Sequence, residues 1–189
     1  MVAQPGLFAL PAVVPGLVLV EDAIDRADER SITAEIDCAA LAPFQFGPWT
    51  GKRLTTNYGS AYDYQRSRPT PAPELPDWLA TLRERVVPLF ARNPSAFEQA
   101  LLIRYEPGAG IGWHRDRPQY GEIVGLSLSA PAVLRLRRRL PSGAFERRKV
   151  ELPPRSTYLL GGEVRDEWEH SIAPMNITRR SVTFRTLRA

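Results

Sequence analysis

The chain has 189 residues, 43% of them hydrophobic and 24% charged, with a net charge of +4 and a pI of about 9.6. This is an ordinary soluble globular balance, and the length suits one domain with a full hydrophobic core. Cys38 is the only cysteine, which excludes an intramolecular disulfide and makes a reducing cytoplasm the simplest expected location.

Residues 7–20 (LFALPAVVPGLVLV) are apolar, but prolines interrupt them and no basic segment precedes them. They are too broken for a transmembrane helix and poorly shaped for a signal peptide, so a buried strand or loop is expected and no membrane partner. Residues 21–40 mix acidic and spaced apolar side chains and read as a surface helix, in which Cys38 is expected to be a buried small hydrophobe. A stretch rich in glycine, proline and aromatics, 43–76, is too long and irregular for a connector and reads as a functional loop. The next segment, 77–92, sets Trp78, Leu82, Val86 and Leu89 on one helical face.

From residue 100 the pattern changes to short strands. LLIRY, IVGLSLS, AVLRLRRR, FERRKVEL, STYLLGG, WEHSIA and RSVTFRTL run or alternate apolar between turns, and LPSGA reads as a hairpin loop. About seven strands argue for a β-sandwich or barrel with helices outside it. No repeat or low-complexity linker appears. The expectation is therefore a single domain over 1–189, mainly β with flanking helices (α+β). Its first part, 1–99, is expected to hold the helices and a candidate substrate lid at about 43–76, and 100–189 the catalytic core. No motif for a protein partner stands out.

Arginine supplies 23 of the 25 cationic residues, the lysines being Lys52 and Lys149. Arginine suits bidentate pairing with phosphate, but a chain this rich in alanine and proline also carries it through biased composition. The net charge of +4 is modest.

Histidine occurs twice. In GAGIGWHRDRPQYG, His114 precedes Asp116 by two, a spacing that puts both side chains on one face of a strand. The other histidine, His170, lies in the separate segment WEHSIA. Two imidazoles and a carboxylate form a facial triad that suits Fe(II) with open positions for cosubstrate and dioxygen, although the same ligands also suit zinc. In RRSVTFR, Arg179, Ser181, Thr183 and Arg185 share one face of the closing strand. Arginines aimed inward need anions, and two of them fit the ends of a short dianion that also chelates iron, such as 2-oxoglutarate.

The ordered set Arg104-Tyr105, Pro107-Gly108, His114-x-Asp116, His170 and Arg179-x5-Arg185 resembles the AlkB-like family of iron(II)/2-oxoglutarate dioxygenases. The phrase RYEPGAGIGWHRD is particularly similar to the family's Tyr-x-Pro-Gly…His-x-Asp segment. The resemblance implies a double-stranded β-helix (jelly-roll) core. It implies Fe(II) on His114, Asp116 and His170, which form the catalytic centre, and 2-oxoglutarate on Tyr105, Arg179, Ser181 and Arg185. It also implies a nucleotide-recognition lid around RLTTNYGSAYDY, where Tyr58, Tyr62 and Tyr64 are candidates to stack an extruded base and Arg53, with Arg66, to meet phosphates. Ile103 and Ser181 stand where many members have asparagine, which implies fewer amide contacts to the cosubstrate. The implied reaction is oxidative demethylation of alkylated DNA or RNA bases, consuming dioxygen and releasing formaldehyde, succinate and carbon dioxide. The alternative is an oxygenase acting on a protein or small molecule, since one fold serves many substrates. The basic hairpin 135–149 suits either a nucleic-acid backbone or a solvated, aggregation-resistant edge.

Overall fold

The segment RRSVTFRTL divides its side chains between two environments, and the architecture follows from that division. A computed structural model describes residues 13–46, 49–63 and 68–188. In chain order its elements are β1 (Leu17–Val20), α1 (Arg26–Cys38), β2 (Ala42–Phe46), β3 (Trp49–Tyr58), β4 (Ser60–Asp63), β5 (Arg68–Pro71), α2 (Asp77–Val86), β6 (Gln99–Tyr105) and β7 (Ile111–His114). They continue with β8 (Tyr120–Leu128), β9 (Ala132–Arg139), β10 (Phe145–Leu152), β11 (Thr157–Leu160), α3 (Gly162–Asp166), β12 (Glu169–Ile172) and β13 (Arg179–Leu187). A seven-stranded major sheet has the order β1-β11-β8-β13-β6-β3-β2, and a four-stranded minor sheet the order β10-β9-β12-β7. Two antiparallel sheets facing each other make the expected jelly-roll core.

On one side of β13, Val182 and Phe184 pack with Ile32 and Ile36 of α1 and Leu79, Leu82 and Val86 of α2. On the other side, Arg179, Ser181, Thr183 and Arg185 are buried toward the minor sheet. Between the sheets a second apolar cluster joins Ile123, Tyr158 and Leu160 to Leu134, Leu136, Val150 and Leu152. Helix α1 starts at an Asp25 cap, whose Oδ1 accepts from the backbone N–H groups of Ala27 and Asp28 at 2.8 Å.

Several expectations change. The second helix ends at Val86, because Pro88 cannot continue it and the chain passes into a 3-10 turn, Val87–Phe90. Leu89 is thereby turned out to 47% exposure, and Leu79 takes the buried place on the helix. The stretch 43–76 is no single loop. Its β2 and β3 extend the major sheet beside β6, while β4 and β5 pair only with each other. Residue 100 is therefore not a structural boundary, since β1, β2 and β3 share a sheet with the later strands. Cys38 closes α1 and is exposed rather than buried. The short helix α3 has no counterpart in the strand pattern read from the sequence. No described helix is long and apolar enough to cross a membrane.

Candidate functional site

Antiparallel pairing of β7 with β12 makes His114 and His170 direct register partners. Their ring centroids are 4.3 Å apart, with planes inclined at 58°. Asp116 lies two residues beyond the end of β7, so the loop after the strand, not the strand alternation expected, brings its carboxylate in. One donor atom each from His114, Asp116 and His170 falls within 4.8 Å of the others, a spacing one metal ion can bridge. His114 Nδ1 is 2.9 Å from the Gly112 carbonyl. A carbonyl only accepts, so Nδ1 carries the proton and Nε2, 3.6 Å from Asp116 Oδ1, keeps its lone pair for a metal.

The electrostatics suit that task. Burial, helped by the neighbouring His114, pushes His170 down to about 3, so the imidazole is neutral and free to ligate. Burial alone would favour protonated Asp116. The Arg185 guanidinium outweighs it and holds the carboxyl well below the usual carboxylate range.

Arg185 was expected to clamp one end of the cosubstrate. Instead its Nε donates to Asp116 Oδ2 at 3.0 Å and its Nη1 to Gln99 Oε1 at 2.9 Å. Gln99 Nε2 donates in turn to Asn57 Oδ1 at 3.0 Å, so a buried chain of amides and guanidinium orients the carboxylate. A second buried arginine, Arg165 of α3, donates to the carbonyls of Gly121 at 2.9 Å and Arg117 at 2.8 Å, which pins the turn after Asp116. Sequence reading missed Gln99 and Arg165. Gln99 was legible as the one polar side chain in QALLIRY that alternation sends to the inner face; Arg165, placed by an unexpected helix, left no signal.

Arg179, Tyr105 and Arg53 form one row across β13, β6 and β3. Arg179 is 1% exposed. Its Nη2 donates to Ser127 Oγ at 3.1 Å, and its guanidinium carbon lies 5.3 Å from the Tyr105 ring centre. Its Nε and Nη1 are buried with no hydrogen-bond partner among the described residues. Two unsatisfied donors on a buried cation are costly unless an anion meets them, so the pocket fits a carboxylate. Ser181, level with Ser127 and Ile103, lies beside it and is buried.

The proposed lid residues separate. The Arg53 guanidinium sits 4.0 Å over the Phe44 ring, in line with Tyr105. Tyr58 packs against the apolar core under the helices, so it is not placed to stack a base. Tyr62 belongs to β4, opposite Pro69 in the β4–β5 pair. Tyr64 and Arg66 lie outside the described residues. In the basic hairpin, Arg138 meets Glu146, Glu163 and Glu167, and Arg137 meets Glu169, while Arg139, Arg147 and Lys149 are exposed.

Comparison with known proteins fits this geometry. Residues 45–188 match the 2OG-Fe(II) oxygenase superfamily. A Xenopus tropicalis protein named tRNA (carboxymethyluridine(34)-5-O)-methyltransferase alkbh8 is 31% identical over 173 residues, covering 87% of this chain and 26% of that one. An Arabidopsis thaliana protein named alkylated DNA repair protein ALKBH8 homolog is 29% identical over 184 residues, covering 84% of this chain and 51% of the other. The chain thus spans between a quarter and a half of these relatives. The solved structure of OsALKBH1 superposes with a TM-score of 0.68 at 17% identity, covering 92% of this chain and 99% of that one. A Pseudomonas putida prolyl-4-hydroxylase superposes at 0.61 with 16% identity, covering 92% and 94%. The chain belongs to the 2OG-Fe(II) oxygenase superfamily, as an AlkB-like dioxygenase dependent on Fe(II) and 2-oxoglutarate.

Proposed function

We propose that this oxygenase oxidatively demethylates alkylated bases in nucleic acid, with Fe(II) held by His114, Asp116 and His170 and 2-oxoglutarate held by Arg179, Tyr105 and Ser181. Bound there, iron with 2-oxoglutarate and dioxygen supplies an oxidant able to hydroxylate a C–H bond, with succinate and carbon dioxide as co-products. The chain's own residues do the positioning. His114, Asp116 and His170 would hold the metal through one donor atom each. Arg185 and Gln99 keep Asp116 ionised and oriented, and Arg179 meets the distal carboxylate with its two unpartnered donors. Hydroxylation of an N-methyl carbon gives a hemiaminal that releases formaldehyde without a protein nucleophile. The buried inner face limits water around the reacting groups.

The observation that carries the substrate reading is the β4–β5 hairpin. It is a separate two-stranded unit that follows directly from β3, the strand whose Arg53 lies in the row of Tyr105 and Arg179. A separate hairpin that carries Tyr62 suits capture of an extruded base, which needs a stacking surface. Relatives named for tRNA modification and for alkylated DNA repair support the same substrate class.

The test supplies Fe(II), 2-oxoglutarate and a panel of methylated DNA and RNA oligonucleotides, and follows methyl loss by mass together with formaldehyde and succinate. Formaldehyde matched one for one with lost methyl groups is the expected result. Turnover confined to peptide or small-molecule acceptors would move the enzyme to the alternative class.

A further inference from the structure

The outer face of the minor sheet gathers more positive charge than its own ladder satisfies. Strand alternation turns Leu134 and Leu136 of β9, and Val150 and Leu152 of β10, into the core between the sheets. The positions between them put Arg135, Arg137 and Arg139 of β9 and Arg147 and Lys149 of β10 on the opposite face. Register sets Arg137 directly opposite Arg147 and Arg135 directly opposite Lys149, pairings of like charge that weaken a sheet. Glu169 relieves Arg137 at 2.6 Å, and the Ser171 hydroxyl accepts from Arg135 at 3.1 Å. Arg139, Arg147 and Lys149 are exposed and meet no carboxylate among the described residues. Aromatic rings are interleaved with these cations. The Arg137 guanidinium carbon lies 4.5 Å from the Trp113 ring centre and 4.6 Å from that of Phe145. Arg135 lies 5.2 Å from Trp113, and Arg147 5.5 Å from Phe145. A guanidinium stacked on a ring is held in place while its N–H groups stay available to phosphate. A face that only meets solvent gains by setting opposite charges across the ladder, and this one sets like charges there.

We infer that this outer face is a second contact surface for the substrate strand, on which phosphates flanking the reacting nucleotide lie. The inference rests on the reading of the substrate as nucleic acid. Strand β7 joins the two places: His114 turns to the metal site, and Trp113, its neighbour in the chain, turns to the outer face. In the sheet order β10-β9-β12-β7 that strand is the end one, so a backbone leaving the metal site crosses a single edge to reach the guanidinium row. From β7 to β10 the face is about 14 Å wide at the usual strand spacing, which suits a run of phosphates rather than one anion. Arginine in place of lysine at most of these positions favours phosphate, which a guanidinium meets with two N–H groups at once. The alternation of flat rings with cations suits a chain that alternates bases with phosphates, a pattern that an acidic peptide or a lipid surface lacks.

The experiment compares wild type with Arg147→Glu/Lys149→Glu, and with Arg26→Glu/Arg30→Glu, an equal charge reversal at exposed positions of α1. Binding of an unmethylated single-stranded oligonucleotide, as DNA and as RNA, is followed by fluorescence anisotropy over a range of salt, with polyglutamate as a second polyanion. The β10 substitutions are expected to raise the oligonucleotide Kd roughly tenfold or more and to reduce the log–log salt slope by about 1.4, the share of two single-strand contacts. Their Tm is expected to be no lower than wild type, because each new glutamate faces an arginine across the ladder. The α1 substitutions are expected to leave Kd and slope nearly unchanged. An unchanged Kd and slope in the β10 variant overturns the inference. So does an equal loss in the α1 variant, which would make net charge alone responsible, or wild-type affinity for polyglutamate equal to that for the oligonucleotide. Wild type that binds no oligonucleotide overturns the nucleic-acid reading as well. Binding that depends on Arg147 and Lys149 without loss of methyl groups from methylated oligonucleotides supports this surface and overturns demethylation alone.

Discussion

His114 and His170 face each other as partners across the β7–β12 ladder, with ring centroids 4.3 Å apart. The ladder fixes this pair, whereas Asp116 comes from the loop after β7 and depends on its supports. The chief support is Arg185, whose Nε lies 3.0 Å from the carboxylate while its Nη1 is held by Gln99. Arg185→Met is therefore expected to lower Fe(II) or Mn(II) affinity about 10–100-fold, the usual loss when a residue supporting a metal ligand is removed. Metal titration followed by calorimetry measures it, and an unchanged Kd would leave Arg185 no part in presenting Asp116.

Arg179 presents two buried donors with no partner among the described residues. Removing it deletes the charge complement of the cosubstrate, a loss of about 3–5 kcal/mol for a buried charge partner. Arg179→Ala is expected to raise the Kd for 2-oxoglutarate by two orders of magnitude or more, roughly the equivalent of that energy. The variant retains metal binding, because Arg179 does not touch the triad. A change of less than threefold in the 2-oxoglutarate Kd would remove Arg179 from the pocket.

The histidine pair, the Arg179–Arg185 strand and most of the β-half were legible in the sequence, because alternation and turn residues determine strand faces locally. AVLRLRRR and FERRKVEL match β9 and β10 residue for residue. The role of Arg185 was not legible: sharing a face with Arg179 says nothing about which anion each meets, and Asp116 is 69 residues away. Gln99 and Arg165 act through contacts between elements that no local pattern encodes. Residues 43–76 misled for a related reason: glycine and proline content suggested a loop, but pairing with β6 holds β3 extended. Tyr58 then followed strand parity to the helix-side core, away from the face that carries Arg53 and Tyr105.

Gly125 gives a test of packing independent of catalysis. Gly125→Ala places a methyl against the Tyr158 ring in a buried site, an overpacking that costs about 1–3 kcal/mol. Chemical denaturation is expected to show that loss, and Tyr158→Ala in the same chain to recover part of it. Strict additivity of the two substitutions would mean that the side chains do not meet.

The lid reading predicts a contrast between two tyrosines. Tyr62→Ala is expected to weaken binding of a single-stranded oligonucleotide by about 1–3 kcal/mol through lost base stacking. Tyr58→Ala, which removes a ring from the core under the helices, is expected to lower Tm. Oligonucleotide binding itself should weaken with salt, with a log–log slope of about −0.7 per phosphate contact for single strands. Affinity that is indifferent to salt would argue against a phosphate-tracking surface.

The most direct test of the central claim is the iron content of His170→Ala beside wild type, measured together with succinate formed from 2-oxoglutarate. Wild type is expected to hold one Fe(II) per chain and to form succinate, and His170→Ala to lose both while remaining folded. A folded His170→Ala protein with full iron occupancy and wild-type succinate formation would contradict the assignment of His114, Asp116 and His170 as the metal site.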